Sequence, residues 1–235
     1  MRPAITIAVV MLLIVAVSAV MAEPYVSVWE DETTDFQGTS SWFGNVGLIV
    51  TPTAVLPPAS AATLQYHRIQ RDIEDVNVWG VNFGVTRWLE AGGSHIDLDG
   101  GGNETVGNVK VKLDAARWLD NPSIPDMAVG AFDVTDQLNR SLYFVMSKSY
   151  PVDGAFTPRI NLHLGFANSE TGFGALDGLF GGIEFQAMKY GLVQAEYDGN
   201  AFNADFRFNA SQHLSLDLGV LDGDFGYGAT YRSQF

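Results

Sequence analysis

Four histidines (His67, His95, His163 and His213) and no cysteine set the limits on acid–base and metal chemistry in this chain. A metal centre needs ligands clustered at short recurring spacings, and these histidines are scattered. Serine–histidine hydrolysis needs a serine within reach of an imidazole, and no local spacing places one beside His163. Gly100-Gly101-Gly102 does not lead from a strand into a helix, so it is no phosphate cradle. The remaining candidates are charges at alternate positions: Lys110, Lys112, Glu184, Glu196, Asp205, Arg207, Asp217 and Arg232. Almost every one is flanked by apolar residues, and both signs occur. In a confined interior such groups either pair with one another or line a polar path for a solute or glycan. No cofactor, metal or catalytic residue is expected, and a barrel acting on lipid stays open as an alternative.

Strands position these charges. Leu214, Leu216, Leu218 and Val220 oppose Ser215, Asp217 and Gly219; Phe202, Ala204, Phe206 and Phe208 oppose Asn203, Asp205 and Arg207. Ile160, Leu162, Leu164 and Phe166 oppose Asn161, His163 and Gly165, and Val109 and Val111 oppose Lys110 and Lys112. A period of two means one face in oil and one face elsewhere. Twelve such segments run from Ala61 to Phe235: 61–71, 76–86, 88–97, 105–114, 126–135, 141–149, 159–167, 178–188, 192–199, 201–209, 213–221 and 224–235. Each is about the 9–11 residues that cross a bilayer when tilted. The last segment carries Tyr227, Tyr231 and Phe235 on its greasy face. A terminal aromatic of this kind resembles the signal by which the insertion machinery recognises outer-membrane barrels.

The N-terminus supports the same class. Residues 1–22 read as a signal peptide, with Arg2, an apolar run from Ala4 to Val17, and small residues at the end. An uncleaved anchor is the alternative reading of that run. No cysteine follows it, so a lipid-anchored N-terminus is not expected. The net charge of −14 argues against nucleic acid as a partner. Residues 23–60 form an N-terminal lead-in, and an even strand count leaves no place for 42–50 in the wall. Residues 42–60 are therefore expected in the lumen or over the periplasmic mouth. With a periplasmic C-terminus, Thr86–Arg87, Ala115–Pro125, Tyr150–Pro158, Lys189–Gly191 and Asn209–Gln212 become periplasmic connections. Trp88, Trp118, Tyr150 and Tyr190 then form an aromatic girdle at that end.

The fold class expected is all-β: a transmembrane antiparallel up-and-down β-barrel of about 12 strands, residues 61–235, in the bacterial outer membrane. A soluble sandwich or lipocalin-like barrel would bury the apolar faces instead. Asn45-Val46 followed by Gly47, Leu48, Ile49, Val50, Thr51, Pro52, Thr53 and Ala54 resembles the opening motif of the YjbH family of outer-membrane barrels. That resemblance implies a role accessory to exopolysaccharide production or export. It implies outer-membrane lipid, the insertion machinery and polysaccharide or export components as partners, and no catalytic residues. A small porin-like channel for polar solutes and a structural or adhesion barrel are the alternatives. A wet lumen would tolerate Asp217→Asn better than a lipid face tolerates Leu216→Arg. Deleting Phe235 is expected to lower the amount of assembled barrel in cells, measured by membrane fractionation; unchanged levels would contradict the terminal signal.

Overall fold

The computed structural model describes residues 40–121, 123–138, 140–151, 159–168, 176–188 and 190–235, the side chains of Pro151, Arg159 and Met188 excepted. The proposed signal peptide, the lead-in up to residue 39, most of 150–158 and much of 168–177 lie outside them.

Twelve strands follow one another along the chain: β1 (Ala61–Gln70), β2 (Val76–Thr86), β3 (Leu89–Leu98), β4 (Asn103–Leu113), β5 (Asp126–Phe132) and β6 (Ser141–Pro151) make up the first half. The second half is β7 (Arg159–Asn168), β8 (Gly178–Met188), β9 (Gly191–Tyr197), β10 (Phe202–Asn209), β11 (Leu214–Leu221) and β12 (Asp224–Gln234). Each pairs antiparallel with its neighbours in sequence, and β12 pairs with β1 to close the ring. Closure gives every wall strand a partner on both sides and leaves no edge. The seam is long, running from Ala61 opposite Gln234 to Gln70 opposite Phe225, and the Phe235 amide donates to the Ser60 carbonyl at 2.9 Å.

Burial separates the two faces. Leu216 on β11 is 43% exposed, whereas Asp217 beside it is 1% exposed. Leu162, Leu164 and Phe166 are exposed on β7 while His163 is buried. The apolar members of each alternation therefore point outward and the polar members inward, opposite to a soluble sandwich or lipocalin. Tyr227, Tyr231 and Phe235 are all exposed on the outer face or at its end. Trp88, Trp118, Tyr150 and Tyr190 are exposed near the mouth where β1 begins and β12 ends.

Strand ends follow local chemistry. β11 and β12 join through Asp222 and Gly223, both at positive φ (49° and 85°), a backbone that matches the twist of a two-residue hairpin. β5 stops at Phe132, earlier than the alternation suggests. Asp133 takes φ 55°, and its carboxylate accepts from the Gln137 and Leu138 amides and the Thr135 hydroxyl. Ala115–Trp118 forms one helical turn, α1, in the long β4–β5 connection, with Arg117 and Trp118 exposed. Among the described residues no helix is long and apolar enough to cross a membrane.

An arginine placed on the outer face tests this disposition. Leu216→Arg should cost about 2–4 kcal/mol of folding stability in bilayers, read by denaturant titration of lipid-inserted protein. An unchanged midpoint would contradict an oil-facing Leu216.

Candidate functional site

The lumen is occupied by the chain itself. Residues 40–54 lie inside the ring and are buried at every position. The segment folds back on itself through bridges between Ser40 and Val46 and between Gly47 and Pro52. The Trp42 amide donates to the Ile49 carbonyl at 2.8 Å, and the Leu48 amide to the Thr51 carbonyl at 2.9 Å. Every residue of the sequence motif, Gly47, Leu48, Ile49, Thr51, Pro52, Thr53 and Ala54, belongs to this plug. Pro52 has no amide to satisfy, which suits the return of the segment inside a closed space.

A plug with this little regular structure must satisfy its backbone from elsewhere. Wall side chains do so. The Glu196 carboxylate on β9 accepts from the amides of Ile49 (3.1 Å), Val50 (2.8 Å) and Thr51 (3.1 Å) and from the Thr51 hydroxyl (2.7 Å). Asn203 on β10 donates a fifth bond to it at 3.0 Å. Consecutive amides converging on a carboxylate form an anion nest, and such charge-assisted bonds are stronger than neutral ones. Across the ring, Glu90 on β3 accepts from the Val46 amide at 2.7 Å, and Lys110 on β4 donates to the Val46 carbonyl at 2.8 Å. Glu90 and Lys110 also pair with each other at 2.8 Å. Ser94 and Asn108 donate to the Phe43 carbonyl, Gln65 to that of Ser41, and Arg207 to that of Ser40.

Plug side chains bury apolar surface. Trp42, Phe43, Ile49, Val50 and Ala54 join a cluster with lumenal Val78, Ile96, Val106, Phe132, Val145 and Phe180. Trp42 stacks on His67 with ring centroids 5.0 Å apart, and Phe43 meets Phe132 edge-on at 6.3 Å. Glycines on the inner wall make this room: a Cβ at Gly226 would overlap the Trp42 ring, and one at Gly182 would overlap Leu48.

The charges singled out by alternation fall into three groups. Lys110, Glu184, Glu196, Asp205, Arg207 and Asp217 are buried inside the ring. Lys112 lies toward the mouth, partly exposed and paired with Asp126 at 2.9 Å. Arg232 is half-buried on β12 opposite Thr63. Arg207 Nε donates to Asp217 Oδ1, and His67 Nε2 meets Asp217 Oδ2 at 3.1 Å. Asp217 is sealed from solvent, so the condition under which Asp217→Asn would be the milder change, a wet lumen, is not met at this position. Glu184 accepts from Asn161 at 2.8 Å and Gln194 at 3.0 Å.

The sequence offered no serine for His163, yet Ser147 Oγ sits 2.8 Å from His163 Nδ1. They are cross-strand partners on β6 and β7, so only the register could have joined them. His163 Nε2 lies 3.8 Å from Glu184 Oε1. Ser147 Oγ also accepts from the Ala54 amide at 2.8 Å, so the pair holds the end of the plug. His95 and His213 are exposed and far from this pair in register. Among the described residues no group of three or more histidine or acidic side chains is arranged to hold a metal ion.

No protein-family model matches the chain. It is 25% identical over 253 residues to "Uncharacterized lipoprotein YjbH" of Escherichia coli (strain K12), covering 84% of this chain. The match takes in 35% of that protein, so the chain spans about a third of the length of the curated relative it matches. This is a likeness in sequence and does not establish membership of a family. Among solved structures, the attachment invasion locus protein Ail of Yersinia pestis aligns over 74% of this chain and 95% of its own, at 11% identity and a TM-score of 0.18. A mutant of Rh. blastica porin aligns over 74% of this chain and 98% of its own, at 9% identity and a TM-score of 0.26. Superpositions that loose carry no functional argument; the closed antiparallel ring of twelve strands defines the fold.

Breaking the central ion pair tests the lumenal reading. Asp217→Asn removes the one carboxylate bonded to both Arg207 and His67, leaving Arg207 only the attraction of Asp205 and Glu184, and should cost about 3–5 kcal/mol in unfolding experiments. The double variant Arg207→Met/Asp217→Leu should recover much of that loss. A mild Asp217→Asn would contradict a dry, plugged lumen.

Proposed function

We propose that this chain is an outer-membrane barrel that carries its own lumenal plug and serves as a non-catalytic envelope component accessory to exopolysaccharide production or export. The observation that carries the reading is the inverted wall: apolar side chains exposed outside and charged side chains enclosed. Such a wall needs oil around it, since an exposed apolar belt of this extent is unfavourable in water. A closed barrel is one of two ways for a chain to cross oil with every backbone group paired. Outer-membrane lipid and the barrel-insertion machinery are then its first partners.

The exopolysaccharide step is supported by the motif. Gly47 to Ala54, the stretch that resembles the YjbH opening, builds the plug, and the sequence likeness to YjbH extends over most of the chain. The role assigned is one for a barrel sealed at rest, working beside other export components. A porin-like role is the second reading, favoured by the polar inner face; in that case the plug must move.

Two measurements test the proposal together. Fractionation of the host should find the protein in the outer membrane, and removing its gene should lower secreted polysaccharide until the gene is restored. Normal polysaccharide in the deletion strain would contradict the export role. Recovery in the soluble periplasm would contradict the membrane role.

A further inference from the structure

We propose that residues 40–54 are a releasable plug, and that the lumen they vacate is a cation-selective path whose selectivity comes from the carboxylates of Glu184, Glu196 and Asp205. This rests on the membrane reading above and goes beyond the sealed resting barrel.

The wall does not need the plug for its own backbone. All twelve strand pairings, including the β1–β12 seam, are made between wall strands. Release of 40–54 therefore breaks no ladder bond. What it breaks is a set of bonds from wall side chains to plug main chain, together with the Trp42–His67 stack and the apolar contacts of Phe43, Ile49 and Val50. Side-chain-to-main-chain bonds are ones that water can replace. The segment thus sits in the lumen as a bound peptide, joined to the wall covalently only through the link to β1.

The wall left behind is acidic. Glu90 stays paired with Lys110, and Asp217 with Arg207, because these contacts do not involve the plug. Three further buried carboxylates, Glu184, Glu196 and Asp205, lie on adjacent strands β8, β9 and β10. The register sets Asp205 opposite Gln194, Gln194 opposite Glu184, and Asn203 opposite Glu196, so the three form one patch. Glu196 would lose four of its five hydrogen bonds on release and keep only Asn203. Asp205 is 2% exposed and lies close enough to Arg207 to attract it, and among the described residues no hydrogen bond joins its carboxylate to the plug. Because Asp205 bonds no part of the plug, its carboxylate stays in place on release and adds negative charge to the path. Rings and patches of Asp and Glu select cations in pores by this electrostatic means.

The experiment uses the full chain in planar bilayers under a KCl gradient, with insertion checked separately by flotation with liposomes. The chain has no native cysteine, so Ala54→Cys/Ser147→Cys gives one bridge between plug and wall. The plug-side variant Trp42→Ala/Val50→Pro loosens the segment and leaves every wall residue in place. Its open time should rise roughly tenfold or more over wild type, with a reversal potential displaced toward that of K⁺. Adding Asp205→Asn should lower the K⁺ to Cl⁻ preference without closing the path. The oxidised tethered protein should pass no steady current, and reductant should restore the openings expected of wild type at high voltage. Inserted protein whose loosened plug passes no current, or prefers Cl⁻, overturns the proposal. So does equal current with the bridge formed and reduced, an arm that holds even if the loosened variant does not fold. Failure of wild type to insert would overturn the membrane reading, and the path with it.

Discussion

A ring of twelve strands encloses more space than its own inward side chains fill, since eight strands already give an interior just wide enough for them. The rest of this structure answers that constraint. The wall is closed and complete in its hydrogen bonds, but its interior needs an occupant. Residues 40–54 supply one, and an occupant with so little internal ladder brings unpaired amides and carbonyls with it. The inner wall is built to receive them. Glu196 takes three consecutive amides, Glu90 and Lys110 take the two sides of Val46, and Arg207 takes the Ser40 carbonyl.

Charge inside a barrel is usually discussed as a property of a water-filled pore. Here most of the enclosed charge has a structural partner. Arg207 faces Asp217, and Lys110 faces Glu90. Each pair also touches the plug, directly or through His67 and the Trp42 ring stacked on it. The two oppositely charged pairs therefore fix the position of the plug as much as they neutralise one another. Asp205 shares Arg207 with Asp217 but, among the described residues, makes no hydrogen bond to the plug. The inner glycines have a related explanation: Gly226 and Gly182 leave room for Trp42 and Leu48, which suits an occupied lumen better than a close approach of facing strands.

Much of the wall was legible in the sequence because oil and interior are different solvents and strands sample them alternately. Leu214 to Val220 and Ile160 to Phe166 show this directly, and their strands appear within a residue or two of the expected bounds. The end of β5 was not legible, because Asp133 stops it with hydrogen bonds to residues two to five further on. The site was half legible. Alternation picked out Glu196, Lys110 and Arg207 as inward charges, but their partners on the plug lie 64 to 167 residues away in sequence. The contact of Ser147 with His163 was hidden for the same reason, since a cross-strand pair is defined by register. Lys112 has the right phase for the lumen, yet its height on the strand puts it beside Asp126 toward the mouth.

The anchoring of 40–54 by Glu196 is the claim on which the sealed barrel depends. Amide hydrogen exchange in lipid-inserted protein reads it at single residues. The amides of Ile49, Val50 and Thr51 should be protected well beyond those of an open peptide, and Glu196→Ala should remove that protection while the wall strands keep theirs. Exchange at those three amides as fast as in an unstructured chain, with the wall strands protected, would contradict it.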